Sequence, residues 1–417
     1  MSILITGLDQ IIIFKKTSAP LTGKGMRDIN ILKGGAILID GGRIAAIGKE
    51  RDIKKHKLSK KARHIKTRGV ALPGFVDSHT HAIFAEPRLK DFSMRVSGAS
   101  YREIKASGGG IVSSIKSVRR QSPALMEKQL IGRAKKFLEC GTVTAEVKTG
   151  YGLDFKSEIK MLQVLKKASK KTSLEMPATL LSAHSVPPEF KGNNKKYLEF
   201  IIAEILPFVA QKKLAAFADI FCEKGYFSPI ESLDYLKEVK KYGLIGKIHA
   251  EQLSSYGGIA AGACTGAISA DHADYANRAD MEVAKQTEMI LTLLPASNFY
   301  LGLRKYPNAR KMIDSGVAVA LATDFNPGTS PCWNMQEVLS LACVNMNMTP
   351  EETIIASTIN GAYALNMGEK TGSLEEGKQA DIAIFDAEDY REIAYYFGGN
   401  LNLMTIKKGK IVYKKCA

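Results

Sequence analysis

A chain of 417 residues exceeds what one ordinary hydrophobic core supports and suits a large domain with a smaller companion. With 45% hydrophobic and 24% charged residues it has the balance of a globular enzyme, and its longest apolar stretches, such as residues 201–210 with Glu204 and Pro207 inside, fall short of the ~20 residues a membrane-spanning helix needs. The net charge of +17 raises nucleic acid as a partner, but the lysines are scattered over residues 54–66, 166–171, 191–196 and 407–415 without interleaved aromatics, which describes a solvated surface whose field favours anionic substrates.

The N-terminal MSILITGLDQIIIF shows no basic leader with a small-residue cleavage site, so no secretory signal is expected. The six cysteines (Cys140, Cys222, Cys264, Cys332, Cys343, Cys416) form no CxxC pair, which predicts reduced thiols in a cytoplasmic protein. Residues 1–70 are strand-like, and Gly41-Gly42 inside GAILIDGGRIAAIG suits a hairpin turn. The C-terminus returns to the same style in ADIAIFDA and LMTIKKGKIVYKK, turning at Lys408-Gly409. One small β-sandwich domain assembled from both ends, residues 1–68 plus 369–417, is therefore expected.

Between them, short apolar runs ending in a polar residue alternate with helical patterns. Eight such runs occur: GVALPGFVDSH, TVTAEVK, EMPATLLSAH, AAFADIFCE, IGKIHA, GAISADH, MILTLLP and VAVALATD. One intervening helix opens with Ser228-Pro229-Ile230-Glu231, a cap, a first-turn proline and a carboxylate three residues on, and its apolar face is expected to run through Ile230, Leu233, Leu236 and Val239. Eight buried strands alternating with helices predict an α/β fold, a (β/α)8 TIM-type barrel over residues 69–368. Such barrels place their chemistry at the C-terminal strand ends, so the residue closing each run carries the information.

Run one closes with Asp77-Ser78-His79-Thr80-His81, and histidines at i and i+2 on a strand point to the same side. Run five ends in His249 and run eight in Asp324. Three neutral imidazoles and a carboxylate can thus converge on one cation, and Zn²⁺ or Fe²⁺ suits those donors. A lone strand-end histidine is more often a satisfied core residue, but five of the seven histidines (79, 81, 184, 249 and 272) fall at predicted strand ends. His184 and His272 are left to position a substrate or polarise a carbonyl, with His272 as an orienter behind the ligands the alternative. Lys148 closes the second run, the wrong strand for a metal-bridging lysine. Glu223 closes the fourth and suits either a bridging or a hydrogen-bonding role.

This constellation resembles the amidohydrolase superfamily. Longer segments, among them SGASYREIKASGGGIVSSI (97–115), EVKTGYGL (146–153), SAHSVPPEF (182–190), KIHAEQLSSYGG (247–258) and ATDFNPGTSP (322–331), resemble its imidazolonepropionase family over nearly the whole chain. The resemblance implies hydrolysis of 4-imidazolone-5-propanoate to N-formimidoyl-L-glutamate, one divalent metal per subunit on His79, His81, His249 and Asp324, and a homodimer. It also implies substrate and product contacts at Arg88, Tyr151, His184, Gln252, Asn326, Gly328 and Thr329. Asp324, His272 and Gln252 are the expected catalytic positions, although Gln252 stands where some members carry a glutamate and, as an amide, cannot shuttle a proton. A deaminase or hydantoin-opening reaction is the nearest alternative, for which Glu251 leaves an opening. A non-catalytic barrel is a more distant one, since such relatives lose metal ligands.

Overall fold

The computed structural model describes residues 2–416, with the backbone alone for Tyr101, Arg102 and Lys105. All eight apolar runs form strands. We number them β1 (Phe75–Asp77), β2 (Thr142–Ala145, continuing as Val147–Lys148), β3 (Ala178–Ala183), β4 (Phe217–Cys222), β5 (Ile245–Ala250), β6 (Ser269–His272), β7 (Ile290–Leu293) and β8 (Val319–Leu321). From the second segment of β2 to β8 they make one seven-stranded sheet in sequence order, parallel throughout, while β1 pairs parallel with the first segment of β2. The sheet is curled: the ends of β1 and β8 meet through Asp324 N–H to the His79 carbonyl (3.1 Å) and His81 N–H to the Phe325 carbonyl (2.9 Å). The strands read as near-continuous apolar runs because helices cover their outer faces. No helix among the described residues is long and apolar enough to cross a membrane.

The first run departs from expectation, because it is two strands rather than one. Val70–Pro73 belongs to a six-stranded sheet with residues 10–14, 29–33, 382–385, 402–407 and 410–414, and only Phe75–Asp77 enters the parallel sheet. Gly74 is the joint; a Cβ there would lie 2.4 Å from Val143. A second, four-stranded sheet comprises residues 3–6, 35–40, 43–49 and 63–66. Ile5, Ile11, Ile37, Ile382, Ile384 and Ile406 share one buried cluster, so residues from the two chain ends pack together. Both predicted hairpins form, with Gly41 and Lys408 in the left-handed region their turns require.

The helix Pro229–Lys241 has the predicted capping box, yet its inner face is Ser232, Tyr235, Leu236 and Val239, and Ile230 is 73% exposed. Steps of three residues drift by about 60° each on a helix of 3.6 residues per turn, so Ile230 and Val239 lie half a turn apart and cannot share a face.

Candidate metal centre and active-site pocket

The strand-end residues converge. His79 and His81 follow β1, His249 lies in β5, His272 closes β6 and Asp324 follows β8, all at most 3% exposed. Ring centroids are 4.5 Å apart for His79 and His249, 5.2 Å for His79 and His81, and 5.4 Å for His249 and His272. Asp324 Oδ1 lies 3.7 Å from His79 Nε2 and 3.6 Å from His81 Nε2. Two overlapping triads, His79–His81–Asp324 and His79–His249–His272, each bring ligand atoms within 4.8 Å of one another. The turns that aim these groups are strained: His272 (φ 85°) and Asp324 (φ 53°) are non-glycine residues in the left-handed region, a cost of order 1 kcal/mol each that the surrounding packing sustains.

The donor set fits a divalent cation. His79 Nδ1 sits 2.6 Å from Asp271 Oδ2. A carboxylate can only accept, so Nδ1 carries the proton and Nε2 keeps its lone pair. Nε2 of His79 and of His249 are both buried without a hydrogen-bond partner, a costly arrangement unless a Lewis acid meets them. Burial, followed by the nearby Lys148 charge, drives His79 well below the usual histidine range, and burial does the same to His81. Neutral imidazoles are what coordination requires. Burial also pushes Asp324 up to about 7, a displacement that a cation at its oxygen would reverse.

Above the cluster opens a cavity of ≈ 620 Å³. Arg88, Tyr151, His184, Gln252, Asn326 and Thr329 line it together with His81, His249, His272 and Asp324. Only His79, beneath the floor, and Gly328, behind the wall, stay out of its lining. His184 Nδ1 lies 3.1 Å from the Gly150 carbonyl, and the ring stacks on His81 with centroids 5.2 Å apart. Burial, then the neighbouring His249, takes His184 down to about 3; it is neutral, protonated on Nδ1, and presents Nε2 as an acceptor. Tyr151 is 1% exposed; burial raises its phenol above the ordinary range, and the Arg88 charge beside it opposes that rise. A Cβ on Gly328 would sit 2.0 Å from Arg88 Cζ, so a larger residue there displaces the guanidinium.

Two carboxylates at strand ends are spent on backbone. Glu223 accepts from the amides of Lys224 (2.8 Å), Leu253 (2.8 Å) and Ser254 (3.2 Å) and from the Ser254 hydroxyl, fixing the loop that presents Gln252. Glu251 accepts from four successive amides, Tyr256 to Ile259, at 2.7–3.3 Å. It caps the helix Gly258–Thr265 and does not line the cavity, which removes the opening for a deaminase.

Arg95 was not singled out in the sequence, where it reads as an ordinary surface arginine. It lines the same cavity and donates to the Gly328 carbonyl at 3.2 Å. The Gly328 and Thr329 amides both point at Asn326 Oδ1 (2.8 and 2.7 Å), so neither backbone N–H is free to meet a ligand.

Comparison with known proteins agrees with this geometry. The model of the amidohydrolase family matches residues 222–412. The chain is 41% identical over 400 residues to an imidazolonepropionase of Geobacillus thermodenitrificans, covering 95% of this chain and 94% of that one. It is 37% identical over 416 residues to an imidazolonepropionase of Alkaliphilus metalliredigens, covering 100% and 99%. Among solved structures, guanine deaminase of E. coli superposes with a TM-score of 0.77 at 17% identity over the whole of both chains. Atrazine chlorohydrolase from Arthrobacter aurescens TC1, complexed with zinc, gives 0.70 at 17% identity over 99% of this chain and 95% of that one. These structural likenesses establish the fold alone.

Proposed function

Since this chain belongs to the imidazolonepropionase family of amidohydrolases, and so hydrolyses the ring C–N bond of 4-imidazolone-5-propanoate to N-formimidoyl-L-glutamate in histidine degradation, we propose that His79, His81, His249 and Asp324 hold one divalent cation, Zn²⁺ or Fe²⁺, per subunit. When bound, that cation makes water acidic enough to attack at neutral pH. The rest falls to the protein. Arg88 grips the propanoate through a guanidinium–carboxylate pair, steadied by Tyr151. His184, bare at Nε2, accepts from a ring N–H, and Gln252 hydrogen-bonds the same ring. Asn326 and Thr329 form the wall at the carboxylate end, and Gly328, outside the lining, anchors Arg95 through its carbonyl. His272 donates its ring N–H to the carbonyl oxygen as charge develops there. Asp324 takes a proton from the attacking water and returns it to the ring nitrogen as the C–N bond breaks.

One observation carries this reading: buried, unpartnered Nε2 atoms of His79 and His249 sit beside Asp324 under a cavity whose wall holds the Arg88–Tyr151 pair. The test is to generate 4-imidazolone-5-propanoate from urocanate and follow its loss by ultraviolet absorbance. Loss well above the spontaneous rate, yielding N-formimidoyl-L-glutamate, abolished by a chelator and restored by Zn²⁺ or Fe²⁺, is expected. Metal-replete protein that leaves the spontaneous rate unchanged would overturn it.

We further propose that the curled sheet closes as a (β/α)8 barrel over residues 69–368, which the β1–β8 hydrogen bonds support, and that residues 1–68 plus 369–417 form the β-sandwich domain, with Val70–Pro73 crossing between them. Exposed Phe299, Tyr395, Tyr396 and Phe397 support a homodimer, and six cysteines outside any disulfide support a cytoplasmic location; a monomer in sedimentation equilibrium would count against the dimer.

A further inference from the structure

Directly beneath the histidine cluster lie five charged side chains with no solvent exposure: Glu146, Lys148, Asp219, Lys247 and Asp271. None belongs to the ligand set. Lys148 Nζ is their hub, 2.7 Å from Asp219 Oδ2, 3.0 Å from Glu146 Oε2 and 3.5 Å from Asp271 Oδ2. The same two aspartate oxygens lie beside the ligand histidines: Asp271 Oδ2 is hydrogen-bonded to His79 Nδ1 at 2.6 Å, and Asp219 Oδ2 is within ion-pair distance of His249 Nδ1, at 3.0 Å, without an aligned hydrogen bond. One ammonium thus joins β1 to β5 along the path His79–Asp271–Lys148–Asp219–His249. Lys247 closes the cage from below, donating to Glu146 (3.0 Å) and to the Ser78 carbonyl (2.8 Å), in the segment that carries His79.

Charges removed from water this completely persist only when geometry and partners are well matched. A compact ammonium has three N–H bonds, and here three carboxylates surround it, a demand the flat guanidinium of arginine would not meet. Histidine ligands are oriented by what holds their other nitrogen. We propose that Lys148 is a positioning residue for the cation: by fixing Asp219 and Asp271 together, it sets the directions of His249 Nε2 and His79 Nε2 while contacting neither. This rests on the assignment of those two histidines as ligands.

The measurement is Zn²⁺ affinity, by competition with a chromophoric chelator, and the visible absorption of the Co²⁺-loaded protein. Substrate is absent from both, so a failure of the substrate assignment would be seen separately, in turnover by the wild-type protein. The variants are Lys148→Met, Asp219→Asn and the double variant. Asp219→Asn is close to isosteric: its oxygen can keep the place of Oδ2, and its amide falls where Oδ1 is buried without a partner. Each single variant is expected to weaken Zn²⁺ binding by about 10–100-fold and to shift the Co²⁺ bands. Both act along one path, so the double variant should be no weaker than the worse single. Should Lys148→Met fail to fold, the double variant, which loses one charge of each sign, still decides with Asp219→Asn. Wild-type Zn²⁺ affinity in either folded variant, fully additive losses, or a lowered melting temperature of metal-free protein with unmoved Co²⁺ bands would overturn the proposal. A wild-type chain that binds no divalent cation would overturn the ligand assignment along with it.

Discussion

Asp324→Asn is expected to lower kcat by on the order of 10³–10⁴-fold with little change in KM. A carboxamide is nearly the same shape but cannot take a proton near neutral pH, and general acid–base catalysis contributes roughly 10²–10⁴-fold. Asp324 is assigned both the acceptance of a proton and its return, which places the loss at the upper end. The fold should tolerate the change, since the bonds that shape this turn use the backbone: Asp324 N–H to the His79 carbonyl (3.1 Å) and the Asn326 side chain to the Asp324 carbonyl (2.7 Å). The side chain also sits among the metal ligands, so bound metal must be counted and turnover expressed per loaded site. A fully loaded Asp324→Asn protein with near-normal kcat would remove Asp324 as the base.

What the sequence showed of this molecule follows from where each signal lives. All eight parallel strands were legible because strands buried on both faces are apolar throughout, and their polar terminators stood out. Position was enough to select the strand-end histidines and Asp324. The division of the first run at Gly74 was not legible, because a strand passing from one sheet to another stays apolar on both sides of the joint. Nor was the inner face of Pro229–Lys241, where Ser232 and Tyr235 displace Ile230.

The charged layer under the site was the least legible. Lys148 was weighed as a bridging ligand on the wrong strand, and Lys247 and Asp219 drew no notice, because a buried lysine and a solvated one look alike in a chain this rich in lysine. Their partners lie far apart in sequence; Lys148 and Asp219 are 71 residues apart. Burial works against the charged form of Lys148, yet Asp219, Glu146 and Asp271 outweigh it and hold the ammonium above its ordinary range. Only the three-dimensional arrangement supplies that balance. Glu251 teaches the converse: it was legible as a carboxylate beside a ligand histidine, but the four amides that consume it belong to a turn that residue spacing does not reveal.

Arg88→Ala should raise KM for the propanoate-bearing substrate by roughly 100-fold while lowering kcat much less. Hydrogen bonds to charged groups contribute about 1.5–3 kcal/mol each, and every 1.4 kcal/mol is tenfold in affinity; a bidentate pair partly offset by its desolvation therefore gives about two powers of ten. The structure supplies an independent way to disturb the same clamp. A methyl group on Gly328 would stand 2.0 Å from Arg88 Cζ, so Gly328→Ala must displace the guanidinium from Tyr151 without removing its charge. If orientation matters as well as charge, it should raise KM by a sizeable part of the Arg88→Ala effect. An imidazolone lacking the propanoate separates the terms: its kcat/KM should be low and nearly equal in all three proteins, because the group that Arg88 holds is absent. Unchanged affinity for the propanoate substrate in Arg88→Ala would move the carboxylate site elsewhere in the cavity. Arg95, whose Nη1 is buried without a partner, would then be the guanidinium left to receive it.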